Sequence, residues 1–269
     1  MRDVLTFIMA GGKGERLLPL TRDRAKPAVP FGGVYRIIDF SLSNCINSGI
    51  RKIHILIQYK SMSLDRHLRM GWNIFNSELG EYIDVIPAQQ RIGDKWYQGT
   101  ADSIYQNIYA IQMRDEKYIM VLAGDHIYKM DYHKIIEFHK DKKADLTVGA
   151  VMMPKGISSQ FGIIEVDSES RITGFKEKPK GEPKTVPGKP DFVYASMGIY
   201  VFNKETLIEE LESDAPKESD HDFGKNIIPS MINKYNTFAY NFVNEDGRPA
   251  YWRDIGTIDA YYEANMDLI

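Results

Sequence analysis

A glycine-rich segment with two basic residues close behind it is the first feature that could bind a ligand. Gly11–Gly14 follows an apolar run, and Arg16 and Lys26 come shortly after it. Glycines between a strand and a helix let backbone N–H groups approach phosphate oxygens, and the helix N-terminus adds positive potential. Leu17 rules out the dinucleotide fingerprint, and no Gly-Lys-Ser/Thr completes a P-loop. The pattern therefore indicates a phosphate-rich ligand, with a purely structural turn as the alternative.

Two aspartates could hold a metal ion beside such a ligand. Asp125 follows an apolar strand and a glycine, which places its carboxylate at the carboxyl end of a central strand. Asp254 lies just after the aromatic pair Tyr251-Trp252. Magnesium favours one or two carboxylates together with phosphate oxygens and water. The alternative is that both aspartates only cap helices or turns.

Longer motifs occur in order along essentially the whole chain. They are Gly11-Gly12-x-Gly14-x-Arg16-Leu17 with Lys26-Pro27, and the segments 31–45, 96–102, 122–128, 175–179, 195–200, 221–224 and 251–257. Together these motifs resemble those of the ADP-glucose pyrophosphorylases, a family of nucleotidyltransferases that make nucleotide sugars from sugar 1-phosphates.

The resemblance implies the reaction ATP + α-D-glucose 1-phosphate ⇌ ADP-glucose + pyrophosphate, the first step of glycogen and starch synthesis, with Mg²⁺ as cofactor. It implies an α/β fold of the nucleotide-sugar transferase (Rossmann-like) type, with a mostly parallel twisted sheet flanked by helices and a small β-rich subregion for the sugar. Residues 1–269 would form one catalytic domain. The resemblance also implies a left-handed β-helix domain in the family, which contributes to homotetramer assembly and allostery, and we expect residues 1–269 not to include it.

The same resemblance assigns roles to individual residues. Arg16, Lys26 and Asp125 would be catalytic, and Asp125 and Asp254 would hold the magnesium. The expected nucleotide-binding residues are Ala10, Gly11, Gly12, Gly14, Arg16, Gln58, Gln90, Tyr97 and Gly99. The expected sugar-phosphate-binding residues are Tyr97, Gly162, Glu177, Lys178, Ser196, Tyr200, Asp222, Phe223 and Trp252.

Several of these residues have simpler interpretations. Lys178 lies in a lysine-rich stretch, and such a run is usually a solvated surface. Ser196 and Tyr200 are four residues apart in a predicted strand, so they would lie on the same face. The simpler interpretation is that they pack against a neighbouring strand and contact no ligand. Asp222 and Phe223 could be a helix cap and a core residue.

Other functions remain open or are disfavoured. A related transferase using UTP, dTTP or GTP is the nearest alternative, and a non-catalytic regulatory subunit that binds the ligands is another. The net charge of −3 gives no general attraction to nucleic acid, and no apolar run reaches the ~18 residues that span a bilayer. The single cysteine, Cys45, excludes a disulfide framework. The six histidines form no zinc motif. We expect a soluble, cytoplasmic protein.

The elements that must position these residues follow from alternating apolar runs and helical patterns. Strands are predicted at residues 4–10, 52–57, 82–86, 118–123 and 145–151, and later at 162–166, 172–175, 193–202 and 237–243. Helices are predicted at 38–48, from 101 onward, at 132–140 and at 258–269, with Gly49 as a C-terminal cap and Thr100, Asp131 and Thr257 as N-caps. This alternation favours βαβ units and a mostly parallel sheet.

Overall fold

The computed structural model describes residues 1–89 and 96–269. The chain divides into two compact units. Unit 1 comprises Met1–Trp96, Val121–His133 and Tyr251–Ile269, and unit 2 comprises Tyr97–Met120 and Lys134–Ala250. The predicted site residue Gln90 lies outside the described residues.

The strands are, in chain order, β1 Val4–Met9, β2 Pro30–Phe31, β3 Tyr35–Arg36, β4 Lys52–Ile57, β5 Tyr82–Pro87, β6 Tyr118–Ala123, β7 His126–Tyr128, β8 Leu146–Pro154, β9 Gly162–Val166, β10 Ile172–Glu177, β11 Phe192–Asn203, β12 Thr237–Asn241 and β13 Trp252–Asp254. The α-helices are α1 Ile38–Asn47, α2 Met62–Gly71, α3 Thr100–Tyr105, α4 Ile108–Gln112, α5 Tyr132–Asp141, α6 Lys204–Asp214, α7 Ile228–Met231 and α8 Ile258–Met266. A π-helical turn, Phe223–Ile227, precedes α7.

Unit 1 is built on a parallel sheet. β1 pairs with β4, and β4 pairs with β5, both in parallel register. The end of β6 lies beside β1, where Gly124 N–H donates to the Met9 carbonyl at 3.0 Å. Val4 and Leu5 are both fully buried although they face opposite sides of the sheet, which confirms a strand covered on both faces.

A second core in unit 1 holds the segments that follow β1, β6 and β13. Leu17, Phe31, Ile127 and Ile255 are buried together in this core. β7 and β13 pair antiparallel beside it, with Asp254 opposite His126. The core therefore fixes the short strands that carry the predicted metal ligands.

Unit 2 is rich in antiparallel strands. β11 pairs antiparallel with β8 and with β9, β9 pairs with β10, and β12 adds to β8 in parallel. The predicted α/β fold, a mostly parallel sheet flanked by helices with a smaller β-rich region, is confirmed, although the sheet is mixed because unit 2 adds antiparallel strands.

Three of the four predicted helix caps are confirmed, and one is wrong; the last helix also ends at Met266, before the predicted residue 269. Gly49 follows α1 with φ +76°, as a C-terminal glycine does. The side chains of Asp131 and Thr257 accept backbone N–H bonds at the starts of α5 and α8. Thr100, however, is the first residue of α3, and Gly99 is its N-cap. Among residues 1–89 and 96–269, no helix has the length and apolarity to cross a membrane.

Candidate active site

The glycine-rich segment forms a tight turn that brings Lys26 close to it. Gly14 has φ +64°, a conformation that favours glycine. A Cβ at Gly14 would lie 2.9 Å from Thr21 Cγ2 and 3.1 Å from Lys26 Cβ. The Thr21 hydroxyl donates to the Gly14 carbonyl at 2.7 Å and holds the returning chain in place. A side chain at position 14 would therefore displace the segment that carries Lys26.

The segment after this turn differs from the prediction. It forms only a three-residue 3₁₀ turn, Glu15–Leu17, instead of a helix that could direct its N-terminus at a phosphate. Pro19 follows closely and has no N–H to continue a helix. Positive potential at the loop must therefore come from basic side chains, among them those of Arg16 and Lys26.

Lys26 and the two aspartates form a compact charge cluster. The Lys26 Nζ lies 2.8 Å from Asp125 Oδ2 and 3.0 Å from Asp254 Oδ1. Lys26 is 7% exposed, and it lies in the 3₁₀ turn Lys26–Ala28. Asp125 lies between β6 and β7, two residues after β6 ends, and Asp254 is the last residue of β13. Residues that are 228 positions apart along the chain, Lys26 and Asp254, are thus joined by a hydrogen bond.

The two signs of charge stabilise each other. Burial would lower the pKa of Lys26, but the attraction of Asp125 and Asp254 outweighs it and raises that pKa above its ordinary value. Burial would likewise raise the pKa of Asp125, but Lys26 and His126 hold it well below its usual range. Lys26 is therefore an ammonium and Asp125 a carboxylate at neutral pH.

The donor atoms at this cluster fit a divalent cation. One oxygen of Asp125, one oxygen of Asp254 and a ring nitrogen of His126 all lie within 4.8 Å of one another. Two carboxylates are suitable ligands for Mg²⁺, and the Lys26 ammonium already shows that a cation is accommodated between them. Asp125 and Asp254 therefore lie close enough together to share one cation, and their role as metal ligands stays a prediction.

His126 is a site residue that the sequence analysis missed. Its Nε2 lies 3.5 Å from Asp125 Oδ1 and 3.7 Å from Asp254 Oδ1. The ring also packs edge-on against Trp252, with 5.0 Å between the ring centroids. No spacing motif marks this histidine, because the antiparallel register of β7 and β13 is what brings it opposite Asp254.

Arg16 reaches the same cluster beside Gly256. A Cβ at Gly256 would lie 3.2 Å from Arg16 Nη2 and 3.0 Å from Asp254 Oδ2. The absence of a side chain at position 256 therefore leaves room for the guanidinium and the carboxylate together.

Gln58 lies next to the glycine-rich segment, as expected for a nucleotide-binding residue. It follows β4, and a Cβ at Gly11 would lie 3.3 Å from Gln58 Cβ. The Gln58 Oε1 atom is buried and has no hydrogen-bond partner among the described residues. Such an atom can accept a hydrogen bond from a ligand at little further desolvation cost. Ala10 and Gly12 belong to the same β1-to-loop segment.

Tyr97 and Gly99 lie in unit 2 and are held by close contacts there. The Tyr97 hydroxyl accepts a hydrogen bond from Asn107 Nδ2 at 2.9 Å, and burial raises the pKa of Tyr97. Gly99 packs directly on the backbone of the segment before Asp222.

Glu177 is the centre of the predicted sugar-phosphate site in unit 2. A Cβ at Gly162 would lie 2.7 Å from Glu177 Oε2, and a Cβ at Gly224 would lie 2.8 Å from the same atom. Lys178, with φ +46°, has its Nζ 3.3 Å from Glu177 Oε1 and is well exposed. A surface cleft of about 560 Å³ is lined by Glu177, Lys178, Gly224 and Lys225 among others. The structure therefore brings Gly162, Glu177 and Lys178 together.

Asp222 shapes the turn that forms one side of this region. Its Oδ1 accepts from the N–H groups of Gly224 and Lys225, at 2.9 and 3.1 Å. Its Oδ2 accepts from the Thr100 hydroxyl at 2.9 Å. Because the Thr100 hydroxyl donates to Asp222, it does not cap α3, and the N–H groups of Ala101 and Asp102 donate to the His221 carbonyl instead.

The aromatic residues of the predicted site are largely internal. Phe223 is 1% exposed and packs against Tyr200, with 5.4 Å between the ring centroids. The Tyr200 hydroxyl bonds with Ser196, and burial raises the pKa of Tyr200. These two residues lie on either side of an irregularity in β11, where Gly198 has φ +65°. Trp252 is 5% exposed and belongs to unit 1, whereas the other predicted sugar residues belong to unit 2.

Comparison with known proteins gives the family. A sequence model described as nucleotidyl transferase matches residues 5–269. The chain belongs to the nucleotidyl transferase family. Among its relatives is a glucose-1-phosphate adenylyltransferase of Rhodopirellula baltica, 57% identical over 272 residues, which cover 100% of this chain and 61% of that protein.

Two further relatives carry closely similar names. Glucose-1-phosphate adenylyltransferase 2 of Vibrio cholerae is 54% identical over 100% of this nucleotidyl transferase chain and 67% of its own length. The Methylococcus capsulatus glucose-1-phosphate adenylyltransferase is 54% identical, with 100% and 63% covered. The chain thus spans about three fifths to two thirds of the length of these relatives.

Proposed function

We propose that this chain is the catalytic domain of a glucose-1-phosphate adenylyltransferase, which forms ADP-glucose and pyrophosphate from ATP and α-D-glucose 1-phosphate. The observation that supports the reaction type is the cluster of Lys26, Asp125 and Asp254 beside the glycine-rich segment. The names of relatives that are 52–57% identical over the whole chain support the choice of substrates.

The reaction needs alignment and charge neutralisation rather than a general base. An oxygen of the sugar phosphate, already ionised, attacks the α-phosphorus of ATP. The new O–P bond forms as the bond from the α-phosphorus to the bridging oxygen breaks, and pyrophosphate leaves. Arg16 and Lys26 would neutralise charge on the nucleotide phosphates, and Lys178 would hold the phosphate of the incoming sugar. Mg²⁺ held by Asp125 and Asp254 would draw charge from the phosphate oxygens.

Gln58 supports ATP over UTP and dTTP. Its buried Oε1 lacks a partner among the described residues, and the exocyclic amino group of adenine is a donor that could satisfy it. Uracil and thymine have no exocyclic amino group, so they would leave this oxygen unpaired. Guanine has one at a different position on its ring, so GTP must be distinguished by experiment.

Assembly remains a prediction. The resemblance implies a homotetramer for full-length members of the family, and residues 1–269 would act as its single catalytic domain.

The test is magnesium-dependent release of pyrophosphate from glucose 1-phosphate, with ATP, UTP, dTTP and GTP compared side by side. Release with ATP and little with the other three is expected. Selective release with another nucleotide would keep the reaction and overturn the choice of ATP. Binding of ATP with no release from any nucleotide would favour the non-catalytic alternative.

A further inference from the structure

The side chain of Lys26 occupies the space between two carboxylates that would also bind a divalent metal. Its Nζ lies 2.8 Å from Asp125 Oδ2 and 3.0 Å from Asp254 Oδ1, and its side chain is 9% exposed. The backbone of Lys26 is fixed, because its carbonyl accepts from Val29 N–H at 3.1 Å within a 3₁₀ turn. The position of the backbone is thus set, whereas the four-carbon side chain can rotate.

A metal ion and this ammonium cannot use the same oxygens at the same time. Ligand oxygens lie about 2.1 Å from Mg²⁺, so an ion bound to Asp125 and Asp254 would come close to the present position of Nζ. Two positive charges at that separation repel each other strongly in a partly buried site. The lysine head must therefore move before a metal can bind both carboxylates.

The phosphates of a nucleotide would give the displaced ammonium a new partner. Lys26 is beside the glycine-rich turn, since its Cβ would be 3.1 Å from a Cβ at Gly14. An ammonium group on a flexible stem is a good point charge for a phosphate oxygen. Metal and nucleotide together therefore supply both replacements, a cation for the aspartates and an anion for the lysine.

We propose that Lys26 is a competing cation which keeps divalent metal binding weak until a nucleotide is present, so that metal and nucleotide bind cooperatively. This proposal rests on the proposed function in one respect, namely that the anion which takes up Lys26 is a nucleotide phosphate. Cooperative coupling between two ligands in proteins typically amounts to a 5- to 150-fold change in affinity.

The variant Lys26→Met removes the charge and keeps a side chain of similar length. Its affinity for Mn²⁺ in the absence of nucleotide should rise by about tenfold over wild type, measured from the EPR signal of free Mn²⁺. Its affinity for the preformed MnATP complex, measured by calorimetry without glucose 1-phosphate, should fall. The two affinities are thus expected to change in opposite directions.

This opposite change separates the proposal from simpler roles. If Lys26 only supported the fold, both affinities would fall, and if it only bound phosphate, the affinity for Mn²⁺ alone would not change. Either result would overturn the proposal. If wild type fails to bind MnATP while Lys26→Met gains Mn²⁺ affinity, the competition is supported and the proposed function is overturned.

Controls keep the test interpretable. Lys60→Met is the matched variant, because the Lys60 Nζ donates to the Thr21 carbonyl at 2.9 Å and no ion pair joins it to a carboxylate within residues 1–89 and 96–269. It should leave the affinity for Mn²⁺ unchanged. Lys26→Met should also show a lower Tm than wild type in EDTA and a larger rise in Tm on addition of Mn²⁺, because its carboxylates are then unpaired. If Lys26→Met does not fold, Lys26→Gln gives the same Mn²⁺ comparison, and an unchanged or lower affinity there contradicts the proposal.

Discussion

Gly99 lies so close to His221 that a Cβ on Gly99 would be 2.2 Å from the His221 carbonyl oxygen. The same Cβ would also be 2.2 Å from the Asp220 carbonyl oxygen. The His221 carbonyl in turn accepts from Ala101 N–H at 2.8 Å. The start of α3 is therefore packed backbone to backbone on the segment that leads into Asp222, and unit 2 holds two predicted ligand-binding segments at a fixed separation.

Gly99→Ala should consequently be strongly destabilising. The His221 carbonyl cannot move without breaking its hydrogen bonds to the start of α3, so we expect the free energy of unfolding to fall by about 3 kcal/mol. Urea unfolding would measure this. Gly156→Ala is the control, because a Cβ at Gly156 meets no atom within 4 Å among the described residues, and it should change stability by less than about 0.5 kcal/mol. Equal effects of the two substitutions would contradict the close packing.

Gln58→Met should impair nucleotide use without loss of stability. The Gln58 Oε1 has no partner among the described residues, so its replacement by a side chain of similar size breaks no bond made by that atom. The KM for ATP should rise by up to roughly tenfold, as for the loss of one hydrogen bond, and the KM for glucose 1-phosphate should stay the same. Steady-state kinetics and thermal unfolding check this. A drop in Tm with unchanged KM values would instead indicate a structural role for Gln58.

Asp125→Asn should lower kcat by orders of magnitude, since it removes a charge that would hold the metal and one partner of Lys26. Pyrophosphate release measures kcat, and far-UV circular dichroism checks that the fold is kept. Asp65→Asn changes an aspartate of the same unit that pairs with Arg69 on α2, so it should leave kcat close to wild type. A kcat for Asp125→Asn within tenfold of wild type would remove Asp125 from the proposed machinery.

Lys178→Ala should raise mainly the KM for glucose 1-phosphate. The ammonium lies beside Glu177 at the edge of the cleft in unit 2, and it is exposed enough for a ligand to reach. Lys189→Ala serves as the matched control, because Lys189 lies in the same connection between β10 and β11 but does not line that cleft. An equal rise in the KM values for ATP and the sugar phosphate would contradict the assigned role.

His139 makes the stability of unit 2 depend on pH. Burial lowers the pKa of this histidine to about 4, while its Nδ1 and Nε2 lie within hydrogen-bond distance of Thr147 and Asn203. The unfolded chain takes up a proton below about pH 6.5, and the folded chain does so only near pH 4. The contribution of His139 is therefore complete above about pH 6.5 and is lost as the pH falls towards 4, by about 3 kcal/mol in total.

Comparison with His139→Gln isolates that contribution. Urea unfolding of both proteins at pH 7, 6 and 5 should show a steeper loss of unfolding free energy for wild type. Parallel curves would show that another group controls the acid response.

Local sequence signals predicted the elements well and the long-range contacts poorly. Gly49, Asp131 and Thr257 cap helices as expected, because their conformation and hydrogen bonds involve only neighbouring residues. Thr100 has the sequence pattern of a cap, but its hydroxyl donates to Asp222 and the first N–H groups of α3 donate to the His221 carbonyl. A tertiary contact of this kind leaves no trace in a local pattern.

The predicted site shows the same division. The glycine-rich turn and Asp125 could be predicted because each comes directly after an apolar strand, and in the structure both lie beside Lys26. The position of His126 depends on the register of β7 against β13, strands that are more than a hundred residues apart, and sequence spacing does not report it.

Unit 1 consists of three segments that are far apart along the chain, so it cannot be completed until the last of them has been synthesised. Leu17 and Phe31 leave the ribosome early, whereas Ile255 and Ala264, which bury them, belong to the last segment. All of unit 2 is translated between these two events. The nascent chain must therefore expose part of this apolar core and lack part of the charge cluster until residues 251–269 emerge. If translation stalls before that point, Lys26 cannot pair with Asp254.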